Sequence, residues 1–125
     1  MNDLNIFLIE GRLTRDAELR TLPSGTALAT FSLANNRSYK KGDDWEKETT
    51  YIDVTVFGKQ AEYIGVLKKG RHVRANGRIK QERWESNGEK RSKYVVIADH
   101  VEVKPIPIGS ETKQADDGFE DDIQF

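Results

Sequence analysis

The chain has 125 residues, 36% of them hydrophobic and 33% charged, which suits one small globular domain and excludes a large multi-domain enzyme. It holds no cysteine and two histidines, His72 and His100, so disulfides and thiolate metal sites are impossible and no metal or cofactor is expected. The net charge of -1 hides a division: Ser110 to Phe125 carries six acids and one base, a net of -5, whereas the first 109 residues carry 19 bases and 15 acids, a net of +4. A mildly basic body with an acidic tail fits a polyanion-binding domain, and it also fits a plain soluble domain with a solvated end.

In chain order, the first predicted strand runs from Leu4 to Thr14. Its consecutive Ile6, Phe7, Leu8 and Ile9 are more apolar than one-sided burial needs, which suits either a subunit interface or a strand buried on both faces. After the turn signal Pro23-Ser24-Gly25 a second strand spans Thr26 to Asn36. Tyr39, Lys40, Lys41 and Trp45 then fall around Lys41-Gly42-Asp43-Asp44 and are read as a polar loop between strands two and three. The third strand is Thr50 to Gly58. Lys59 to Lys69 is the exception to the β pattern: Ala61, Ile64 and Leu67 recur at three-residue spacing, with Tyr63 and Val66 widening the stripe, and Gly70 stops the helix. A fourth strand, His72 to Trp84, and a fifth, Arg91 to Lys104, flank Asn87-Gly88.

Five strands with one helix between the third and fourth give an all-β chain in the order of an OB-fold, the five-stranded Greek-key barrel, with a different five-stranded barrel or sandwich as the alternative. The second and fourth strands are long enough to extend beyond such a barrel as hairpin arms. Past Pro105 and Pro107, Gly109 to Gly118 has few apolar residues and no periodicity, the signature of a disordered linker before an acidic tip. The expected organisation is a barrel over residues 1–105, a flexible linker over 106–118 and a tip over 119–125. No apolar stretch reaches the roughly 20 residues that span a bilayer. Met1-Asn2-Asp3-Leu4 lacks the basic and apolar regions of a signal peptide, so a soluble, cytoplasmic protein is expected.

Alternation in the third strand puts Ile52, Val54 and Val56 on one face and Tyr51, Asp53, Thr55 and Phe57 on the other. Tyr51 and Phe57, six residues apart, are separated by roughly 20 Å at ~3.3 Å per residue. In the fourth strand Val73, Ala75, Gly77 and Ile79 share one parity, and Arg74, Asn76, Arg78, Lys80 and Trp84 share the other. Interleaved basic and aromatic groups suit single-stranded nucleic acid, whose phosphates need positive charge and whose open bases stack on aromatic rings. An aromatic cluster of this kind also suits a subunit interface.

Ile9-Glu10-Gly11-Arg12-Leu13-Thr14-Arg15-Asp16, Phe31-Ser32-Leu33-Ala34, Val56-Phe57-Gly58-Lys59 and Gly77-Arg78-Ile79 fall in an order and spacing that resembles the bacterial single-stranded DNA-binding protein family. The tip Asp121-Asp122-Ile123-Gln124-Phe125 is similar to that family's acidic-hydrophobic C-terminus. The resemblance implies base stacking at Tyr39, Tyr51, Phe57 and Trp84 and basic contacts at Arg20, Lys41, Lys59, Lys69, Lys80 and Arg83. It further implies a homotetramer that coats single-stranded DNA in replication, recombination and repair, and recruits partner proteins through the tip. Some positions depart from the pattern: Tyr39 and Tyr51 stand in place of tryptophan, Gln124 in place of proline, and Asp53 and Glu82 where basic residues can occur. No phosphate-binding loop, Gly-x-Ser-x-Gly turn or His-Glu-x-x-His helix is present, so no catalytic residue is expected. Because stacking does not distinguish sugars, a single-stranded RNA module is the alternative.

Overall fold

The structure, a computed structural model, describes residues 1–105. The elements are β1 (Phe7–Leu13), β2 (Glu18–Thr21), β3 (Ala27–Lys41), β4 (Asp44–Phe57), α1 (Lys59–Ile64), β5 (His72–Ser86) and β6 (Glu89–Val103). They form one sheet in the order β1-β5-β6-β4-β3-β2, and β1 also pairs with β3 through Arg12 with Ala34 and Leu13 with Leu33. That pairing closes the five principal strands into a barrel. All neighbours are antiparallel except β4 and β6, which run parallel from Asp53 with Val95 to Val56 with Ala98.

Alternation decides what the barrel encloses. Ala29, Phe31 and Leu33 of β3, Val54 and Val56 of β4, Val73 and Ala75 of β5, and Val96 and Ala98 of β6 point inward with Leu13 and are buried. Fully burying each larger aliphatic side chain, such as Leu33 or Val96, contributes roughly 1.5–3 kcal/mol of transfer free energy. Ala61 and Ile64 of α1 complete the cluster from one end.

The ladder between β5 and β6 changes register at Asn76 and Gly77. Asn76 pairs with His100 and Gly77 with Ala98, leaving Asp99 as the extra residue of a bulge. A Cβ on Gly77 would stand 2.0 Å from the Ile97 carbonyl oxygen, so glycine is the residue that lets the strands approach this closely. The side chain of Gln60 on α1 satisfies the freed backbone: its amide donates to the Asp99 carbonyl at 2.9 Å, and its Oε1 accepts the Val101 N–H at 2.8 Å.

Four departures from the sequence expectations have physical causes. The strand β2, Glu-Leu-Arg-Thr, falls outside the five expected strands; all four residues are exposed, and it exists by pairing Glu18–Thr21 with Thr30–Ala27 of β3. The expected loop carrying Tyr39, Lys40, Lys41 and Trp45 is instead continuous strand, because β3 and β4 pair without interruption out to Lys41 with Asp44. That arm is held by polar contacts that leave no hydrophobic signature: Arg37 to Glu48 at 3.0 Å and Thr49 Oγ1 to Asn36 Oδ1 at 2.7 Å. The helix ends at Ile64, five residues before the expected Lys69. Gly65 there packs on Leu19 closely enough to exclude a Cβ, and the Leu67 carbonyl turns to accept the Ala17 N–H at 2.9 Å. With so short a helix, Tyr63 and Val66 are exposed rather than part of the buried stripe. Among the described residues no helix is long and apolar enough to cross a membrane.

Candidate nucleic-acid interface

The registers of β3, β4, β6 and β5 extend the alternation of single strands into rows across the outside of the barrel, because directly paired residues share a face. One row runs Arg20, Leu28, Phe57. The next runs Glu18, Thr30, Thr55, Ile97, Arg78, and the next Ser32, Asp53, Val95, Lys80. Tyr51 opposite Ala34 and Trp84 opposite Arg91 continue the same face toward the two hairpin tips. Tyr51, Phe57, Trp84, Arg20, Arg78 and Lys80 therefore lie on one continuous surface, as parity within β4 and β5 predicts for all but Arg20.

Each strand is tied to this placement by local chemistry. The hairpin between β5 and β6 closes through Asn87 (φ 51) and Gly88 (φ 80), the two positive φ values a type I′ turn demands. This turn sets Ser86 against Glu89 and hence Trp84 against Arg91 and Lys80 against Val95. Gly58, at φ 86 and ψ -153, ends β4 in a conformation that a side chain rarely tolerates, which places Phe57 at the strand end and Lys59 at the start of α1. Between the long side chains of the rows, Val95 and Ile97 are buried although they point away from the barrel core. Their neighbours in register, Arg78 and Lys80, have apolar stems long enough to cover them while the charged ends stay in water.

The aromatics are open to ligand: Trp45 is 70% exposed, Tyr51 67%, Phe57 45% and Trp84 44%. Trp45 joins the face because it has the parity of Tyr51 and Phe57 on an unbroken strand. The spacing 45, 51, 57 carries that signal once the strand is known to reach Asp44.

The structure does not bring every expected residue to this face. Tyr39 lies on the opposite side of the β3–β4 arm, half-buried, with the Arg37 guanidinium 5.4 Å from its ring centroid and its hydroxyl 3.5 Å from Glu46 Oε1. Arg83 has the parity opposite to Trp84 and donates to Gln81 Oε1 at 2.7 Å. Arg74 shares the parity of Arg78 but sits past the bulge, where its Nε donates to Glu10 Oε2 at 2.7 Å and its Nη1 stands 3.5 Å from Glu102. Lys41 lies at the arm tip on the side of Tyr39, opposite Asp44. Lys59 and Lys69 are exposed at the start of α1 and in the following loop, where the Lys69 N–H bonds Asp16 Oδ1 at 2.9 Å. The tip residues Asp121, Asp122, Ile123, Gln124 and Phe125, and the linker, lie outside the described residues.

Two electrostatic arrangements flank the site. On the face, Asp53 accepts a 2.8 Å hydrogen bond from Ser32 Oγ and stands 3.5 Å from Lys93 Nζ, and Glu82 is registered opposite the same lysine. Away from it, Glu10 gathers Arg74, His72 at 3.7 Å and Lys104 at 3.6 Å. The hydrogen bond from Arg74 holds the Glu10 carboxyl below the usual carboxylate range, while burial pushes His72 below the usual imidazole range. Glu10 carries its charge there as a structural anchor and His72 is favoured neutral.

A closed five-stranded barrel with parallel β4 and β6, one helix before β5 and an outer face of aromatic and basic side chains is an OB-fold. The model of the Single-strand binding protein family matches residues 4–104. The single-stranded DNA-binding protein of Treponema pallidum is 41% identical over 120 residues, covering 95% of this chain and 68% of that protein. That of Borreliella burgdorferi is 42% identical over 120 residues, covering 94% and 79%. Among solved structures, a deletion mutant of the single-stranded DNA binding protein from Thermus aquaticus superposes with a TM-score of 0.72 at 28% identity, covering 86% of this chain and 52% of that one. A Plasmodium falciparum SSB complex with ssDNA superposes at 0.75 with 22% identity, covering 84% and 98%, a likeness of fold. The chain belongs to the single-strand binding protein family.

Proposed function

We propose that this protein binds and coats single-stranded DNA with little regard to sequence, laying the strand across the outer face of β4, β6 and β5. The observation that carries this reading is the register that puts Tyr51, Phe57, Trp84 and Trp45 on one surface with Arg78, Lys80 and Arg20. Rings stack on any base, at about 1–3 kcal/mol each, and cations meet any phosphate, so the surface grips the strand without reading it. A duplex hides its bases from such rings and gains only the charge contacts. The work is binding alone, in replication, recombination and repair, by a cytoplasmic protein associated with the nucleoid.

The same reading assigns residues 1–105 to DNA binding, 106–118 to a linker and 119–125 to recruitment of replication and repair proteins, with Phe125 and the neighbouring aspartates meeting an apolar pocket rimmed by basic groups. It takes the working unit as a homotetramer. Leu4, Ile6 and Leu8 are exposed with one parity in and before β1, whose Phe7–Ile9 segment pairs, among the described residues, with β5 alone, so an apolar strip and an open backbone edge stand together. The test is a titration of tryptophan fluorescence with poly(dT), with light scattering for subunit number. Saturable quenching that weakens but survives in salt is expected, and an unchanged signal with no binding by the full chain would reject the reading.

A further inference from the structure

Asp53 lies on the proposed path of the strand, in the row between those of Tyr51 and Phe57, where a carboxylate opposes a polyanion. The fold nevertheless holds it in place. Ser32, itself buried, donates to Oδ1 at 2.8 Å and so fixes the direction of the carboxylate. The other oxygen faces Lys93 Nζ at 3.5 Å, with both side chains about half exposed. Lys93 reaches Asp53 diagonally, since Asp53 pairs in register with Val95, and across the next ladder it stands opposite Glu82. The lysine thus sits between two carboxylates on the face, and the one with the fixed orientation holds its ammonium.

We propose that Asp53 is a built-in substitute for phosphate: it occupies Lys93 in the free protein and must be displaced when the strand binds. The proposal rests on the single-strand reading given above. A free lysine that neutralises a phosphate releases a counterion from the nucleic acid, which makes affinity fall with salt. When Lys93 moves from Asp53 to a phosphate, one cation leaves the DNA and one is taken up by the vacated carboxylate. The exchange therefore adds little affinity and almost no salt dependence. Lys93 serves as a contact that a strand makes and breaks at small cost, and the Asp53 charge sets that balance.

The test is a four-member cycle of the full chain: native, Asp53→Asn, Lys93→Gln and the double variant, each titrated with a labelled thymidine oligomer across a salt series. Asparagine retains an Oδ1 acceptor for Ser32, and Asp53→Ser removes the charge without relying on that bond, so a fold disturbed in one variant leaves the other to be read. With Lys93 present, removing the Asp53 charge is expected to tighten binding about fivefold at low salt, the scale of one unit-charge contact at 4 Å in water. It should also steepen the salt slope by about 0.7, the increment for one further phosphate of a single strand. In the Lys93→Gln background both effects should shrink to less than half. Equal effects in both backgrounds would show Asp53 to be a fixed negative charge with no exchange at Lys93 and would overturn the proposal, as would an unchanged slope. In either case binding by the native chain leaves the single-strand reading standing. Failure of the native chain to bind the oligomer would reject that reading and this inference with it.

Discussion

Replacing Trp84 by alanine separates a binding ring from a structural one. Trp84 lies on the β5–β6 arm, paired with Arg91, outside the buried cluster, and it keeps 44% of its surface exposed. Its removal leaves no cavity in the barrel, so the loss of stability should stay below the roughly 3–5 kcal/mol of a buried tryptophan truncation and near 1 kcal/mol. One lost base stack costs about 1–3 kcal/mol, which is roughly a 5- to 150-fold weakening at 1.4 kcal/mol per tenfold. Fluorescence anisotropy of a labelled thymidine oligomer measures the affinity without relying on the deleted fluorophore, and a urea melt on the same sample measures the fold. A large fall in the urea midpoint with unchanged affinity of the folded fraction would show that Trp84 packs rather than stacks, and would refute the argument from register and exposure.

Trp45→Ala should weaken binding on the same scale, whereas Tyr39→Ala should change it less, because Tyr39 faces the other side of the arm and is engaged by Arg37; equal losses in a paired titration would mean that the strand wraps both sides. Gly77→Ala should destabilise the barrel by about 3 kcal/mol or more, since the new Cβ meets the Ile97 carbonyl oxygen at 2.0 Å, and denaturant unfolding checks it against a neutral result. Stability should also fall on acidification. Burial holds His72 below the ordinary imidazole value of 6.5, so below that pH the unfolded chain takes up a proton that the folded chain resists. Glu10 is held below 4.5, so its contribution is present above that pH and is lost as pH falls through its lowered folded value. Urea midpoints across this range should decline in native protein and less steeply at the acid end in Glu10→Gln; a flat profile would contradict the assigned cluster.

The parts of the interface legible in sequence were those where alternation and burial coincide. Val54 and Val56 fix the inner face of β4, which leaves Tyr51 and Phe57 outside, and Val73 and Ala75 do the same for Arg78, Lys80 and Trp84. Where a strand has no buried side to set its phase, the sequence was silent. The arm from Arg37 to Glu48 is paired through polar side chains, so it read as a loop, and neither the outward Trp45 nor the reversed Tyr39 was visible. Arg83 lies off this face for a related reason: its basic character matches the resemblance, but its parity is that of Gln81 and Ile79. Arg20 reaches the face through β2, a strand created by pairing with β3 and carrying no buried residue of its own. The Asp53 and Lys93 pair joins residues forty positions apart across a parallel ladder, a contact that single-strand periodicity does not express.

On the proposed function, the strand runs over the outer face of β4, β6 and β5. Photocrosslinking with an oligomer carrying halogenated uridine, followed by mapping of the modified residues, tests it directly, because the chain also exposes aromatics elsewhere, at Tyr63 on α1 and Tyr94 on the opposite side of the β5–β6 arm. Crosslinks are expected at Trp45, Tyr51, Phe57 and Trp84, and they should vanish when unlabelled poly(dT) is added in excess. Crosslinks concentrated at Tyr63 or Tyr94, with the four face aromatics unmodified, would contradict that path.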